Sequence, residues 1–209
     1  MLKVLIADDH SLFRRGVKDL LSEGLGAVTV GECANAHELF ELIQRKKWDV
    51  LILDISMPGT TGSDALLSVK REYPSLPVII LSMHPEDQYA VRMFKAGANA
   101  YLTKASAPEE LVKAVKKVCA GGQYVNQSLG EKLVYMLRPG KDGPLHELLS
   151  DREYEVMRLI ASGKTVKEIA ERLHVGTSTV STYRARILEK LNLKNNAELM
   201  RYALRQGIE

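Results

Sequence analysis

The sequence predicts a five-stranded, doubly wound parallel α/β sheet followed by a small all-helical domain. Three observations carry that reading. Over roughly the first 120 residues, short apolar runs alternate five times with helix-period patterns. Such alternation requires crossover connections, and so parallel strands. Val50-Leu51-Ile52-Leu53 runs unbroken into Asp54, and the turn formers Pro58 and Gly59 follow. An unbroken apolar run bounded by turn residues is a strand covered on both faces, as parallel sheets require. Beyond the stretch Arg138-Pro-Gly-Lys-Asp-Gly-Pro144, which has linker composition, the apolar residues recur only at helical spacing.

Taken in order, residues 2–7 form a strand that ends in Asp8-Asp9-His10. Leu12, Phe13, Val17, Leu20 and Leu21 follow at helical spacing, up to Gly24. Residues 27–33 are β-branched and strand-like, and residues 36–47 form an amphipathic helix with Leu39, Phe40, Leu42 and Ile43 inside. After the Asp54 strand come a helix over 63–73, a strand over 77–82 and a helix over 86–96 stopped by Gly97. A short strand over 100–103 leads into Lys104. The helix over 108–120 has Pro108 at its start and Gly121-Gly122 behind it, the usual asymmetry of helix ends. Leu129, Leu133, Val134 and Leu137 predict a short helix inside the connection. Ser150 with Glu153, and Thr165 with Glu168, have the spacing of capping boxes at the starts of two further helices. Helices over about 177–191 and 196–206 complete the chain. The organisation is therefore 1–121, a connection over 122–147, and 148–209.

Composition narrows the function classes. The chain has 209 residues, 45% hydrophobic and 26% charged, which excludes wholesale disorder. The net charge of +3 is concentrated: residues 150–209 carry 11 Lys and Arg against 8 Asp and Glu, and the rest balances at 18 of each. Cys33 and Cys119 lack metal-ligand spacing and have apolar neighbours, which suits a reducing compartment. The apolar N-terminus is too short for a signal-peptide core, and no run reaches transmembrane length. A cytoplasmic protein with no membrane partner is expected.

The chemistry concentrates at the C-terminal ends of the predicted strands, where open α/β sheets place their ligand sites. Asp8 and Asp9 end the first strand, Asp54 the third, Ser82 the fourth and Lys104 the fifth. Asp54 alone reads as a turn residue; the convergence makes it a site. Clustered carboxylates repel and require a cation. Hard oxygen ligands favour Mg²⁺, which binds through one or two carboxylates plus phosphate. Lys104 and the Ser82 hydroxyl are suited to two more phosphoryl oxygens. That is a minimal phosphoryl-transfer site with Asp54 as nucleophilic acceptor. His10, beside the acids, reads as an edge residue rather than a ligand.

Residues 2–121 resemble a bacterial response-regulator receiver domain. The matching residues are Asp8-Asp9, Asp54 with Met57-Pro58 and Gly62 behind it, Ser82 and Lys104. The resemblance implies a flavodoxin-like sheet of order 2-1-3-4-5, and phosphorylation of Asp54 by a cognate sensor histidine kinase. It implies Mg²⁺ on Asp9, Asp54 and the Ser56 carbonyl, with Asp8 assisting through water, and a switch pair of Ser82 and Tyr101. Many receivers have proline after the lysine. Here Ala105 follows, so the loop bearing Lys104 is expected to be loose before phosphorylation.

In the last third, two helices joined by a tight turn, the second rich in Arg, Lys, Ser and Thr, suggest a helix-turn-helix. Val180, Ile187, Leu188 and Leu191 form its predicted buried stripe. Residues 148–209 resemble the LuxR-type helix-turn-helix domain of the NarL/FixJ family. The match runs through Leu149-Ser150-Asp151-Arg152-Glu153, Lys167-Glu168-Ile169-Ala170, Thr179-Val180 and Lys190-Leu191. By position, Ser181, Thr182 and Ala185 face the bases of double-stranded DNA. Lys167, Thr179, Tyr183, Arg184, Arg186 and Lys190 are candidates for its phosphates, with Tyr183 where the family commonly has His. The family implies a homodimer on paired half-sites, acting on the transcription machinery. Its dimer face would be the last helix, through Ala197, Leu199, Met200, Tyr202 and Ala203.

Two rival classes remain. A metal-dependent phosphohydrolase with an aspartyl-phosphate needs a second acid near its nucleophile, but Ile55 and Ser56 follow Asp54. A phosphorylation-independent regulator with a degenerate switch would keep the DNA-binding face and ignore phosphodonors. The reading adopted is a two-component response regulator, not an enzyme.

Overall fold

The structure is a computed structural model and describes residues 1–57, 62–84, 86–126, 129–131 and 145–208, with residues 62, 63, 87, 88, 147 and 151 described by backbone only. Two compact units divide the chain, Met1–Arg138 and Pro139–Glu209.

The first unit alternates strand and helix. Its elements are β1 (Leu2–Ala7), α1 (Ser11–Leu25), β2 (Val28–Cys33), α2 (Ala36–Arg45) and β3 (Val50–Asp54). They continue with α3 (Gly62–Glu72), β4 (Val78–Ser82), α4 (Glu86–Lys95), β5 (Ala100–Thr103) and α5 (Ala107–Cys119). The five strands are all parallel, in the order β2-β1-β3-β4-β5. β3 and β4 are buried at every position, as unbroken apolar runs require. One face of the sheet packs Val4, Ile6, Ile52, Ile79 and Leu102 into a core with Val17 and Leu21 of α1 and Leu111 and Val115 of α5. Leu5, Leu51, Leu53 and Ile80 alternate to the opposite face and are equally buried, as are Leu39 of α2 and Leu66 of α3. Registers Ala7↔Leu53, Asp54↔Leu81 and Ser82↔Thr103 bring the strand ends level. That alignment assembles the site.

Local chemistry sets the helix ends. Asn35 caps α2 by accepting from the Glu38 N–H, and Glu38 returns a bond to the Ala34 N–H at 2.8 Å. α5 carries proline in its first turn, and Gly121 (φ 85°) turns the chain behind it. The sheet edge also reaches past 121: Tyr124 bridges to Ala100, and its N–H donates to the Asn99 carbonyl at 2.9 Å. The helix expected through Leu137 lies mostly outside the described residues, of which 129–131 are helical. Cys33 is buried as expected; Cys119 is exposed, because it ends α5.

The second unit opens with a 3-10 turn (Leu145–Leu148). Four helices follow: α6 (Asp151–Ala161), α7 (Val166–Leu173), α8 (Thr177–Lys190) and α9 (Asn196–Arg205). Both predicted capping boxes form, Ser150 with Glu153 and Thr165 with Glu168. Val156, Ile160, Ile169, Val180, Ile187, Leu199 and Ala203 make its core. Leu199 and Ala203 therefore correct the expected dimer face: both are fully buried, because a module this small needs the apolar side of its last helix for its own core. Tyr202 is likewise engaged, its hydroxyl accepting from the His146 N–H at 3.0 Å. No helix among the described residues is long and apolar enough to cross a membrane.

Candidate phosphoryl site and DNA-binding face

The site is built at the C-terminal edge of the sheet. Asp8 follows β1 and is held there by its N–H, which donates to the Cys33 carbonyl at 3.1 Å. Its Oδ1 accepts from the His10 N–H at 2.7 Å, closing a turn before α1. Asp54 ends β3 with its side chain 1% exposed. Its Oδ1 accepts from the Ser56 N–H at 2.8 Å. Lys104 enters from the end of β5, its N–H donating to the Ser82 carbonyl at 2.7 Å. Its Nζ lies 2.6 Å from Asp8 Oδ2 and 2.7 Å from Asp54 Oδ2. The Phe13 ring lies against the same ammonium, 4.6 Å from its centroid, where a cation is attracted to the ring face.

Lys104 is therefore pinned at its backbone and its ammonium. With Ala105 behind it, Lys104 is anchored through its ammonium on two buried carboxylates. Burial pushes the Asp54 carboxyl above its ordinary range, against the pull of Lys104 and the Ser56 N–H. For Lys104, burial favours the neutral amine, but the bonds to Asp54 and Asp8 outweigh it and raise its pKa.

Asp8, Asp9, Asp54 and His10 each offer a ligand atom within 4.8 Å of the others. Three carboxylates against one ammonium leave two negative charges, so the donor set fits one hard divalent cation. His10 belongs to this group in space: its Nδ1 lies 2.8 Å from Asp9 Oδ1. Its side chain is 65% exposed, so it stands at the edge of the site while within reach of the acids.

Ser82, fully buried at the end of β4, accepts from the His84 N–H through its Oγ at 3.0 Å. Tyr101 on β5 is 1% exposed and donates to the His84 carbonyl at 3.0 Å. Burial raises its hydroxyl pKa strongly. Ser56 is exposed beside Asp54, and Met57 is buried behind it. Pro58 lies outside the described residues.

In the second unit, α7 and α8 form the two-helix motif. His174 closes α7 in the left-handed region (φ 53°), and Gly176 caps α8. Ser181, Thr182, Ala185 and Arg186 are exposed along α8, and Lys167 is exposed on α7. Ser181 and Thr182 turn their hydroxyls back to the carbonyls of Thr177 and Ser178 at 2.9 and 3.0 Å. Thr179 and Tyr183 are half-buried, as is Leu188 at the edge of the stripe. Two members of the predicted phosphate set have protein partners that spacing alone did not reveal. Arg184 Nε donates to Asn196 Oδ1 at 2.5 Å, and Lys190 Nζ pairs with Glu153 Oε2 at 2.6 Å.

Comparison with known proteins agrees on both units. Residues 4–116 match the response regulator receiver domain, and residues 147–203 match the bacterial regulatory proteins of the luxR family. Response regulator UvrY of Escherichia coli strain K12 is 33% identical over 209 residues, which is all of this chain and 96% of UvrY. Response regulator GacA of Pseudomonas aeruginosa PAO1 is 34% identical over the same length, 98% of GacA. RcsB of Salmonella enterica serovar Typhimurium, solved on the promoter rprA with phosphomimetic BeF₃⁻, superposes with a TM-score of 0.65. Its identity is 31%, over 97% of this chain and 98% of RcsB. An RcsB–DNA complex gives a TM-score of 0.60 at 30% identity, over 96% of each chain. An aspartate-edged parallel sheet ahead of a helix-turn-helix, matched along its whole length by such relatives, places this chain among the two-component response regulators that join a receiver domain to a LuxR-type DNA-binding domain.

Proposed function

We propose that Asp54 accepts a phosphoryl group from a cognate sensor histidine kinase, and that the aspartyl phosphate controls DNA binding by the second unit. The family consists of transcription regulators rather than enzymes. The observation that carries the reading is Asp54 itself. It is a buried carboxylate at the sheet's ligand edge, with one oxygen on a backbone N–H and the other on Lys104. In this reading Mg²⁺ is held by Asp8, Asp9, Asp54 and the Ser56 carbonyl; when bound, it neutralises phosphoryl oxygens.

The residues of the chain do the rest. An Asp54 oxygen forms the new P–O bond as the donor's P–N bond breaks, and the leaving imidazole keeps the electron pair. Lys104 exchanges its carboxylate partner for a phosphoryl oxygen. The Ser82 hydroxyl turns to another, and Tyr101 follows. Residues 1–121 are the receiver in this scheme, 122–147 the linker and 148–209 the DNA-binding domain.

On DNA, Ser181, Thr182 and Ala185 read bases, while Lys167, Thr179, Tyr183, Arg184 and Arg186 take phosphates. Lys190 serves first as the partner of Glu153. RcsB is known as dimers bound to DNA. By the same logic this chain binds paired half-sites as a homodimer. The exposed side of α9, with Ala197 and Leu204, is the available face. The protein works in the cytoplasm, with its kinase and the transcription machinery.

The test is incubation with Mg²⁺ and acetyl phosphate, followed by mass measurement and peptide mapping. One phosphoryl group on Asp54 is expected. No uptake would replace this reading with a phosphorylation-independent regulator.

A further inference from the structure

Asn126 lies two residues beyond Tyr124, which bridges to the sheet edge, within the first unit and in the stretch that leads towards the second. Its Oδ1 accepts from the Leu129 N–H at 2.9 Å, and its carbonyl accepts from the Gly130 N–H at 2.9 Å. It is thus the N-cap of the helical turn that begins the connection. The other end of the same amide, Nδ2, donates to Glu86 Oε2 at 2.6 Å. Glu86 is the first residue of α4 and follows His84 by two. His84 is the residue that Ser82 and Tyr101 grip from opposite sides, one at its N–H and one at its carbonyl. Hydrogen bonds therefore tie the site hydroxyl to His84 and tie Glu86 to the helical turn behind Asn126, and two steps along the chain join His84 to Glu86.

We propose that the Glu86–Asn126 bond is a latch, which holds the start of the linker on α4 and restrains DNA binding until Asp54 is phosphorylated. The latch rests on the phosphorylation reading above. To reach a phosphoryl oxygen on Asp54, the Ser82 side chain turns away from the His84 N–H. The 82–84 turn then shifts, and Glu86 moves with it. At 2.6 Å to a carboxylate, the latch is a short, charge-assisted bond that tolerates little displacement. A shift of about 1 Å takes it beyond hydrogen-bond range. The surroundings sharpen the effect. Burial first, and then the charge of Glu86, raise the Glu110 carboxyl, so Glu86 already stands beside another acid. Asn126 supplies the donor that this acidic corner needs.

The asymmetry of the amide gives a clean test. Asn126→Asp keeps the capping oxygen but removes the donor and adds a carboxylate beside Glu86. The full-length protein is measured with and without acetyl phosphate and Mg²⁺, on a duplex selected from a random pool by the phosphorylated wild type. Phosphoryl occupancy is read by mass in each sample. Without donor, Asn126→Asp binds about tenfold tighter than wild type, close to the phosphorylated protein, and the donor adds little. Glu86→Gln keeps an acceptor but loses the charge, so without donor it binds DNA between wild type and Asn126→Asp. Combining Glu86→Lys with Asn126→Asp pairs the swapped charges and restores the wild-type gap. Amide exchange at residues 129–131 is faster in Asn126→Asp and in phosphorylated wild type.

A full wild-type response in Asn126→Asp at equal occupancy overturns the latch, as does a charge swap that restores nothing. If wild type takes up phosphate without changing its DNA affinity, the phosphorylation reading fails first, and the latch with it.

Discussion

Lys190→Met separates a structural role from a DNA contact. Glu153 lies in the first turn of α6 with its side chain 3% exposed. Its Oε2 accepts from the Ser150 N–H at 2.7 Å and from Lys190 Nζ at 2.6 Å. Burial opposes its ionisation, but Lys190 and Ser150 outweigh burial and hold the carboxyl below its ordinary range. Removing the ammonium leaves a buried carboxylate with one backbone donor. Breaking a fully buried pair costs about 3–5 kcal/mol. The Lys190 side chain is 39% exposed, so water screens part of that. The expected loss is about 1–2 kcal/mol. For a domain of this size, that lowers Tm by about 5–10 °C.

Calorimetry of the full chain, following the transition of the second unit, measures it. The pH dependence has a definite sign. The folded carboxyl titrates below the unfolded one, so the unfolded chain binds the proton first and stability rises with pH. The contribution is complete above the ordinary glutamate pKa and is lost as the pH falls through the folded value. The gap between wild type and variant therefore closes on acidification. An unchanged Tm near neutral pH, or a gap that widens in acid, would refute the pairing.

Three further outcomes follow from the same geometry. Asp9→Ala removes one of three carboxylates gathered near Lys104, so Mg²⁺ affinity falls below detection by titration calorimetry while Tm without metal rises; retained affinity would sink the metal assignment. Arg186→Ala weakens binding to selected and random duplexes about equally and reduces the salt slope by roughly one, whereas a loss confined to one base position would make Arg186 a base reader. Burial pushes the Cys33 thiol up to about 12, so in native protein near pH 8 a thiol reagent modifies the exposed Cys119 and reaches Cys33 only on unfolding. Rapid native reaction of both thiols would contradict the buried assignment.

What the sequence disclosed was whatever chain-local physics controls. Val50–Asp54 reads as a doubly covered strand because nothing polar interrupts it, and all five residues are buried. Ser150 and Thr165 announce their helices because a capping box needs only four residues. Most long-range pairings were invisible. The strand order brought Asp8 and Lys104 to one edge, but nothing near Lys104 marks Phe13 as its neighbour, and nothing near Lys190 marks Glu153. His174 and Asn192 adopt φ 53° without being glycine, so no glycine marked those turns, although both residue types enter that region more readily than most. Leu199 and Ala203 were misassigned because apolar spacing shows that a helix has a buried side, not whether its own domain or a second copy covers it.

The central claim is that Asp54 is the switch, and Asp54→Asn addresses it most directly. Asparagine is nearly isosteric but lacks the carboxylate nucleophile. A phosphoryl group adds about −1.5 to −2 charges and new acceptor oxygens for Ser82 and Lys104, and the variant cannot acquire them. DNA affinity and molar mass are measured together, with and without phosphodonor, for both proteins. Wild type is expected to gain affinity for a paired site and a larger dimer fraction, while the folded variant gains neither. If the donor tightens DNA binding by the variant as much as by wild type, Asp54 is not the switch.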